Sequence, residues 1–289
     1  MSTNTAPLLD ATDVVVEYPM KGWRTPPFRA LKGVSARIEA GRTLGLVGES
    51  GSGKTTLGRA VLGLAPVTGG SIRFRGQEIA HLPRAERRAL SSEIQVVFQD
   101  PYTSLNPAMT VGDILSEPLE VAGVARVAAR DRIRELLDQV NLPGDSIDRL
   151  PREFSGGQRQ RVAIARALAL DPALIVCDEP VSALDLSTQA RVLDLFIEIQ
   201  ERTGVAYLFV SHDLSVIRHI SHDVAVMYRG EIVETGDAER VTSSPSHPYT
   251  QRLMMAAPVA HPRRQALRRA ERRELLDAQA AADVLEVAS

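Results

Sequence analysis

Residues 48–55 read GESGSGKT, set between the apolar run TLGLV at 43–47 and the stretch KTTLGRAVLGL at 54–64, whose spacing is helical. A strand, a glycine-rich loop and a helix N-terminus in that order make a phosphate-binding element. Gly48, Gly51 and Gly53 let the backbone curl between Glu49, Ser50 and Ser52, its N–H groups turn toward phosphate oxygens, and Lys54 reaches the β/γ-phosphates. Thr55, with Thr56 beside it at the helix start, would hold Mg²⁺. The helix dipole and the free N–H groups of its first turn stabilise the charge of a triphosphate there. A glycine-rich turn with no ligand is the plain alternative, and the strand and helix on either side count against it.

Two further strings extend the pattern. FSGGQRQR at 154–161 opens a run with helical spacing from Arg159 to Leu170, so Ser155, Gly156, Gly157 and Gln158 offer a hydroxyl and exposed N–H groups at a second helix start. VCDEP at 176–180 follows from the apolar strand LIVC at 174–177, and places Asp178 and Glu179 at a strand's C-terminal end, where open α/β sheets bind ligands. On its own an acidic pair there reads equally well as a solvated turn or helix cap.

Taken together, residues 8–257 resemble the ABC-type ATPases. The resemblance implies an α/β fold: a P-loop NTPase (RecA-like) core with an antiparallel β subdomain and an inserted α-helical subdomain, the latter at about 100–165. It also implies roles. Asp178 resembles the Mg²⁺ partner acting through water, and Glu179 the general base for the attacking water. His212, after the run VAYLFV at 205–210, resembles the γ-phosphate switch, although a lone His after a strand is more commonly a cap or surface residue. Gln99, after IQVVF at 94–98, resembles the glutamine that touches Mg²⁺ and links the ATP site to the helical lobe. Asp185, in the SALD segment, resembles a residue that communicates across a dimer. Tyr18 resembles the aromatic that stacks on adenine, with Trp23 and Phe28 as rivals in the same region. In the family each ATP lies between the Lys54-type loop of one chain and the Ser155-type loop of a second ATPase subunit, so the resemblance implies a pair, with itself or with a sister chain.

The strings QDPYTSLNP at 99–107 and SPSHPYTQRLMMAAP at 244–258 look like those of ATP-binding subunits of oligopeptide, dipeptide and nickel importers. They imply a C-terminal extension from about 244, two transmembrane permease subunits as partners and an external solute-binding protein acting through the complex. As plain structure, His247-Pro248-Tyr249 is a turn and helix start, with Leu253, Met254 and Met255 as packing. Unlike relatives with a four-cysteine cluster, this chain has Cys177 alone, so no iron–sulfur centre is expected. Residues 258–289 form an arginine-rich tail whose scattered small apolar residues favour a solvated helix over a lipid-binding one.

Composition narrows the remaining choices. At 289 residues the chain suits one such ATPase, its 44% hydrophobic content can supply a sizeable core, and a net charge of −2 argues against a nucleic-acid binder. No stretch reaches the ~20 apolar residues that span a bilayer, and the polar start MSTNTAP lacks a signal-peptide pattern. The expected location is the cytoplasmic face of the cell membrane, held by partners. DNA-repair members of the family would carry a long coiled coil between the Lys54 and Ser155 strings, and ribosomal members usually join two ATPase units; this sequence shows neither. A kinase or GTPase sharing only the phosphate loop lacks the Ser155 string.

Overall fold

The computed structural model describes residues 6–20, 22, 26–100 and 104–256. Trp23, the residues 101–103 of the importer-like string and the arginine-rich tail lie outside these.

Two sheets share the chain. Strands β1 (Leu9–Tyr18) and β2 (Phe28–Ile38) pair antiparallel, and after β3 (Thr43–Val47) and helix α1 (Lys54–Val61) the chain returns through β4 (Val67–Phe74) and β5 (Gln77–Glu78) to complete a four-stranded sheet of order β2-β1-β4-β5. Helix α2 (Arg84–Ala89) leads to β6 (Ile94–Val97). Helices α3 (Val111–Val121), α4 (Arg126–Gln139) and α5 (Gly156–Leu168) then form a lobe before the chain re-enters the second sheet at β7 (Leu174–Asp178). Helix α6 (Leu186–Thr203), β8 (Ala206–Ser211), α7 (Leu214–Ile220), β9 (Asp223–Tyr228), β10 (Glu231–Asp237), α8 (Ala238–Ser243) and α9 (Pro248–Ala256) follow. That sheet has the order β10-β9-β3-β8-β7-β6, parallel except for β10.

The central parallel strands β3, β7 and β8 are buried on both faces, which is why they read as apolar runs. Their two-residue period divides the interior. On β8, Tyr207 and Phe209 enter the core shared with the helical lobe, whereas Ala206, Leu208 and Val210 enter the core beneath α1 and the antiparallel sheet. Phe196 of α6 meets both aromatic rings edge-on, at 5.4 and 5.5 Å. Burying each such side chain stabilises the fold by about 1.5–3 kcal/mol. The Tyr207 hydroxyl is satisfied too, donating to the Phe196 carbonyl at 3.1 Å. Cys177 is fully buried on β7, and burial raises its thiol well above the usual range, as suits a small apolar filler.

Two helix boundaries depart from the periodic pattern for local reasons. Helix α1 stops at Val61, short of Leu64, because Gly63 takes a left-handed φ of 71°. Helix α5 begins at Gly156 rather than Arg159, because Ser155 and Gln158 form a reciprocal capping box: Gln158 N–H donates to Ser155 Oγ at 3.3 Å and Ser155 N–H to Gln158 Oε1 at 2.9 Å.

The order of the parallel strands positions the chemistry. The C-terminal ends of β3, β8, β7 and β6 lie side by side, and each carries a part of the site just beyond it.

Candidate functional site

The phosphate loop is held in its curled form from within. Lys54, only 5% exposed, donates from Nζ to the carbonyl oxygens of Gly48 at 2.7 Å and Glu49 at 2.9 Å. Burial lowers its pKa, partly offset by Glu179, Asp178 and Glu49 nearby. A Cβ on Gly48 would stand 2.1 Å from the Met227 carbonyl oxygen, so only glycine lets the loop pass the end of β9. Gly53 caps α1 with no side chain, and this helix end is therefore free of any self-made cap.

Opposite the loop stand the acidic residues. Thr55 Oγ1 donates to Asp178 Oδ1 at 2.9 Å across 123 positions of sequence. Burial raises the Asp178 pKa, the Thr55 bond opposes that, and neighbouring Glu179 adds to it. Glu179 has a φ of 49°, unusual for a residue with a Cβ, and its N–H is pinned to the Val210 carbonyl at 3.0 Å. The turn is closed by Ser182 Oγ donating to the Glu179 carbonyl at 3.0 Å. Glu179 Oε2 then meets two side chains from neighbouring strand ends, His212 Nδ1 at 3.0 Å and Gln99 Nε2 at 3.5 Å. Asp213 next to His212 caps α7 through the Ser215 N–H at 2.8 Å, which holds the His212 turn in place.

Tyr18, Phe28 and Ala30 form one wall of the cleft over the loop, with Ser50, Gly51, Gly53, Lys54, Thr55, Thr56 and Glu179 lining the rest. Tyr18 and Phe28 are register partners across β1 and β2, so both rings reach the same wall. Phe28 is 56% exposed.

Ser155, Gly156, Gly157, Gln158 and Asp185 are placed elsewhere; none of them is among the described residues lining this cleft. They gather on their own patch. Gly157 approaches Thr188 so closely that a Cβ would sit 2.3 Å from Thr188 Cγ2. Thr188 N–H in turn donates to Asp185 Oδ1 at 3.0 Å, alongside Ser187 N–H at 3.1 Å. Hydrogen bonds from Ser187 and Thr188 hold the exposed Asp185 carboxyl well below the ordinary range.

The cleft fits a triphosphate with a hard divalent cation. Oxygen ligands from Thr55 and Asp178 converge there, as Mg²⁺ requires, and the Oγ of Ser52 in the loop is buried with no hydrogen-bond partner among the described residues. Among the described residues no cluster of three His, Cys, Asp or Glu side chains could hold a transition metal, and no helix is long and apolar enough to cross a membrane.

One feature of the site lay outside the motif reading: the phenol of Tyr249, in α9, accepts a hydrogen bond from the Glu49 N–H of the loop at 3.0 Å. Nothing in the sequence ties position 249 to position 49. The string containing Tyr249 was legible only as a turn and helix start within an importer-like segment.

Residues 31–182 match the family model described as ABC transporter, and residues 233–282 match the model of the oligopeptide/dipeptide transporter C-terminal region. The chain is 52% identical over 236 residues to the oligopeptide transport ATP-binding protein OppD of Mycobacterium tuberculosis, an alignment covering 82% of this chain and 39% of that protein. It thus spans about two fifths of the mycobacterial relative's length. With the oligopeptide transport ATP-binding protein OppF of Escherichia coli it shares 46% identity over 263 residues, 88% of this chain and 79% of the relative. Among solved structures, the dimeric post-hydrolysis state of the ATP-binding cassette MJ0796 bound to ADP and Pi superposes with a TM-score of 0.70 at 28% identity, covering 80% of this chain and 98% of that one.

Proposed function

The chain belongs to the ABC transporter family, and on that footing we propose that it is the ATP-hydrolysing motor subunit of an importer for oligopeptides or dipeptides. The observation that carries the ATPase reading is the convergence on one sheet edge of a buried Lys54 in a glycine loop, the Thr55–Asp178 bond, and Glu179 within reach of both His212 and Gln99. The match of residues 233–282 to the peptide-transporter C-terminal region favours peptides as the solute.

In this reading Lys54 and the open N-terminus of α1 bind the β- and γ-phosphates, and Tyr18 or Phe28 covers the base. Thr55 and Gln99, with Asp178 through water, would hold Mg²⁺, which when bound would supply charge neutralisation on the phosphates. Glu179 orients a water and receives its proton at a carboxylate oxygen as the water oxygen bonds to the γ-phosphorus and the bond to the β-phosphate oxygen breaks, giving ADP and inorganic phosphate. His212, 3.0 Å from Glu179 Oε2, fixes that carboxylate and faces the γ-phosphate. The Ser155–Gln158 turn and Asp185, standing on a separate patch, serve the site of a second ATPase subunit. Gln99 opens the segment leading into the helical lobe, so it carries closure to a docked permease helix at the cytoplasmic face of the membrane. Two permease subunits and an external binding protein complete the complex.

Glu179→Gln tests the centre of this scheme. Turnover should fall about 10²–10⁴-fold with ATP binding retained; normal turnover in this variant removes Glu179 from the role of base. Uptake of labelled di- and oligopeptides in cells lacking the gene, with radioactive nickel measured alongside, tests the solute. A defect in nickel uptake alone would overturn the peptide assignment.

A further inference from the structure

Glu49 follows Gly48 in the phosphate loop, and its two backbone groups are held from opposite sides. Lys54 Nζ donates to its carbonyl from inside the loop, at 2.9 Å. From outside, the Tyr249 hydroxyl accepts its N–H at 3.0 Å. Tyr249 is itself firmly seated: it is 3% exposed, its ring packs on Tyr228 with centroids 4.2 Å apart, and its N–H donates to His247 Nδ1 at 3.1 Å. The turn before it is anchored on Glu234 of β10, whose buried carboxylate accepts from Ser246 N–H and Oγ, both at 2.9 Å, and from His247 N–H at 3.1 Å. Burial alone would raise the Glu234 pKa, but hydrogen bonding from Ser246, Thr250 and His247 prevails and holds it down to about 2. Past Tyr228, Gly230 N–H donates to the Ser52 carbonyl at 2.9 Å, a second tie between this region and the loop.

We propose that Tyr249 is a positioning residue for the phosphate loop, and that the segment from Ser244 to α9 sets nucleotide affinity through its hydroxyl. The inference rests on the reading of the Lys54 loop as the ATP site. The physical reason is preorganisation. A loop that must present several N–H groups to phosphate binds more tightly if its own backbone is already fixed, and Glu49 is gripped by side chains on both its carbonyl and its N–H. The ordinary alternative is that a buried tyrosine simply finds a partner for its hydroxyl and affects stability alone.

Tyr249→Phe separates the two, because it keeps the ring and removes only the hydroxyl. Three quantities are measured on the full chain: the dissociation constant of a fluorescent ATP analogue, nucleotide-free amide exchange across residues 47–52, and the melting temperature. Tyr207→Phe is the comparison, since it also deletes a buried hydroxyl but one that faces α6. Tyr249→Phe should weaken nucleotide binding about 3–10-fold and speed exchange at Glu49, whereas Tyr207→Phe should lower the melting temperature and leave affinity within about twofold. Glu234→Gln should weaken binding in the same direction, and combined with Tyr249→Phe should add less than its separate effect, since both act through one turn. Unchanged loop exchange or unchanged affinity in Tyr249→Phe overturns the proposal. If the parent chain binds no nucleotide, it is the ATP-site reading that fails; loop exchange in the nucleotide-free protein still decides whether Tyr249 braces the loop.

Discussion

Two helices of this protein open on glycine-rich turns, and they are finished in opposite ways. The N-terminus of α1 carries Gly53 as a cap with no side chain, sits beside a 5%-exposed Lys54 and lines a cleft. The N-terminus of α5 closes on itself through the Ser155–Gln158 capping box and presents Ser155 to solvent. The first leaves its N–H donors without a side-chain cap and walls them in. The second has met part of its own demand and stands away from the cleft, beside Asp185. Similar loops therefore suit different work: one lines the cleft proposed above for the triphosphate, the other stands on the patch proposed to serve a second ATPase subunit.

Lys54→Ala strikes the walled-in end and should have the largest effect. It removes the ammonium that ties the Gly48 and Glu49 carbonyls, and nucleotide affinity should fall on the order of 10²-fold. Equilibrium binding of a fluorescent ATP analogue measures it; near-parent affinity would break the contrast between the two helix ends. Ser155→Ala strikes the open end. Turnover should drop roughly 10-fold and lose its steeper-than-linear rise with protein concentration, with affinity in the separate chain kept within about twofold. Equal loss of affinity in both variants would mean that the ends belong to one site.

The smallest effect sharpens how the loop is supported. Glu234 has a folded pKa of about 2 against an ordinary value of 4.5, so its contribution is present in full above about 4.5 and is lost as pH falls toward 2. Glu234→Gln should therefore lower the melting temperature by roughly 5 °C at pH 7. The gap between parent and variant should close as the pH is taken from 5 to 2.5. A gap independent of pH would mean that the charge on Glu234 is not what anchors the turn.

The strands and their ligands differ in how openly the sequence declared them. Unbroken runs such as LIVC and VAYLFV mark strands buried on both faces, and their C-terminal neighbours Asp178, Glu179 and His212 follow directly. The start of α5 was less open: helical spacing placed it at Arg159, and the reciprocal bonds of Ser155 and Gln158 move it to Gly156. The φ of 49° at Glu179 was not legible, because the residue is held there by a bond to Val210 on the next strand rather than by its own preference. Nor could the choice between Tyr18 and Phe28 be narrowed: β-pairing sets the two rings opposite each other on the same wall.

By itself the sequence determined the α1 glycine loop and the acidic strand end, each written in residues a few positions apart whose spacing dictates local geometry, and these strings together carried the resemblance that implied the fold family. Only the tertiary structure decided what lies next to what. The strand order β3-β8-β7-β6 sets Gln99 and His212 around the Glu179 carboxylate, and the packing of α9 against β9 brings Tyr249 to Glu49 across 200 residues. The reason is that such contacts are fixed by burial of two shared cores, whose apolar side chains are interchangeable in sequence but not in space.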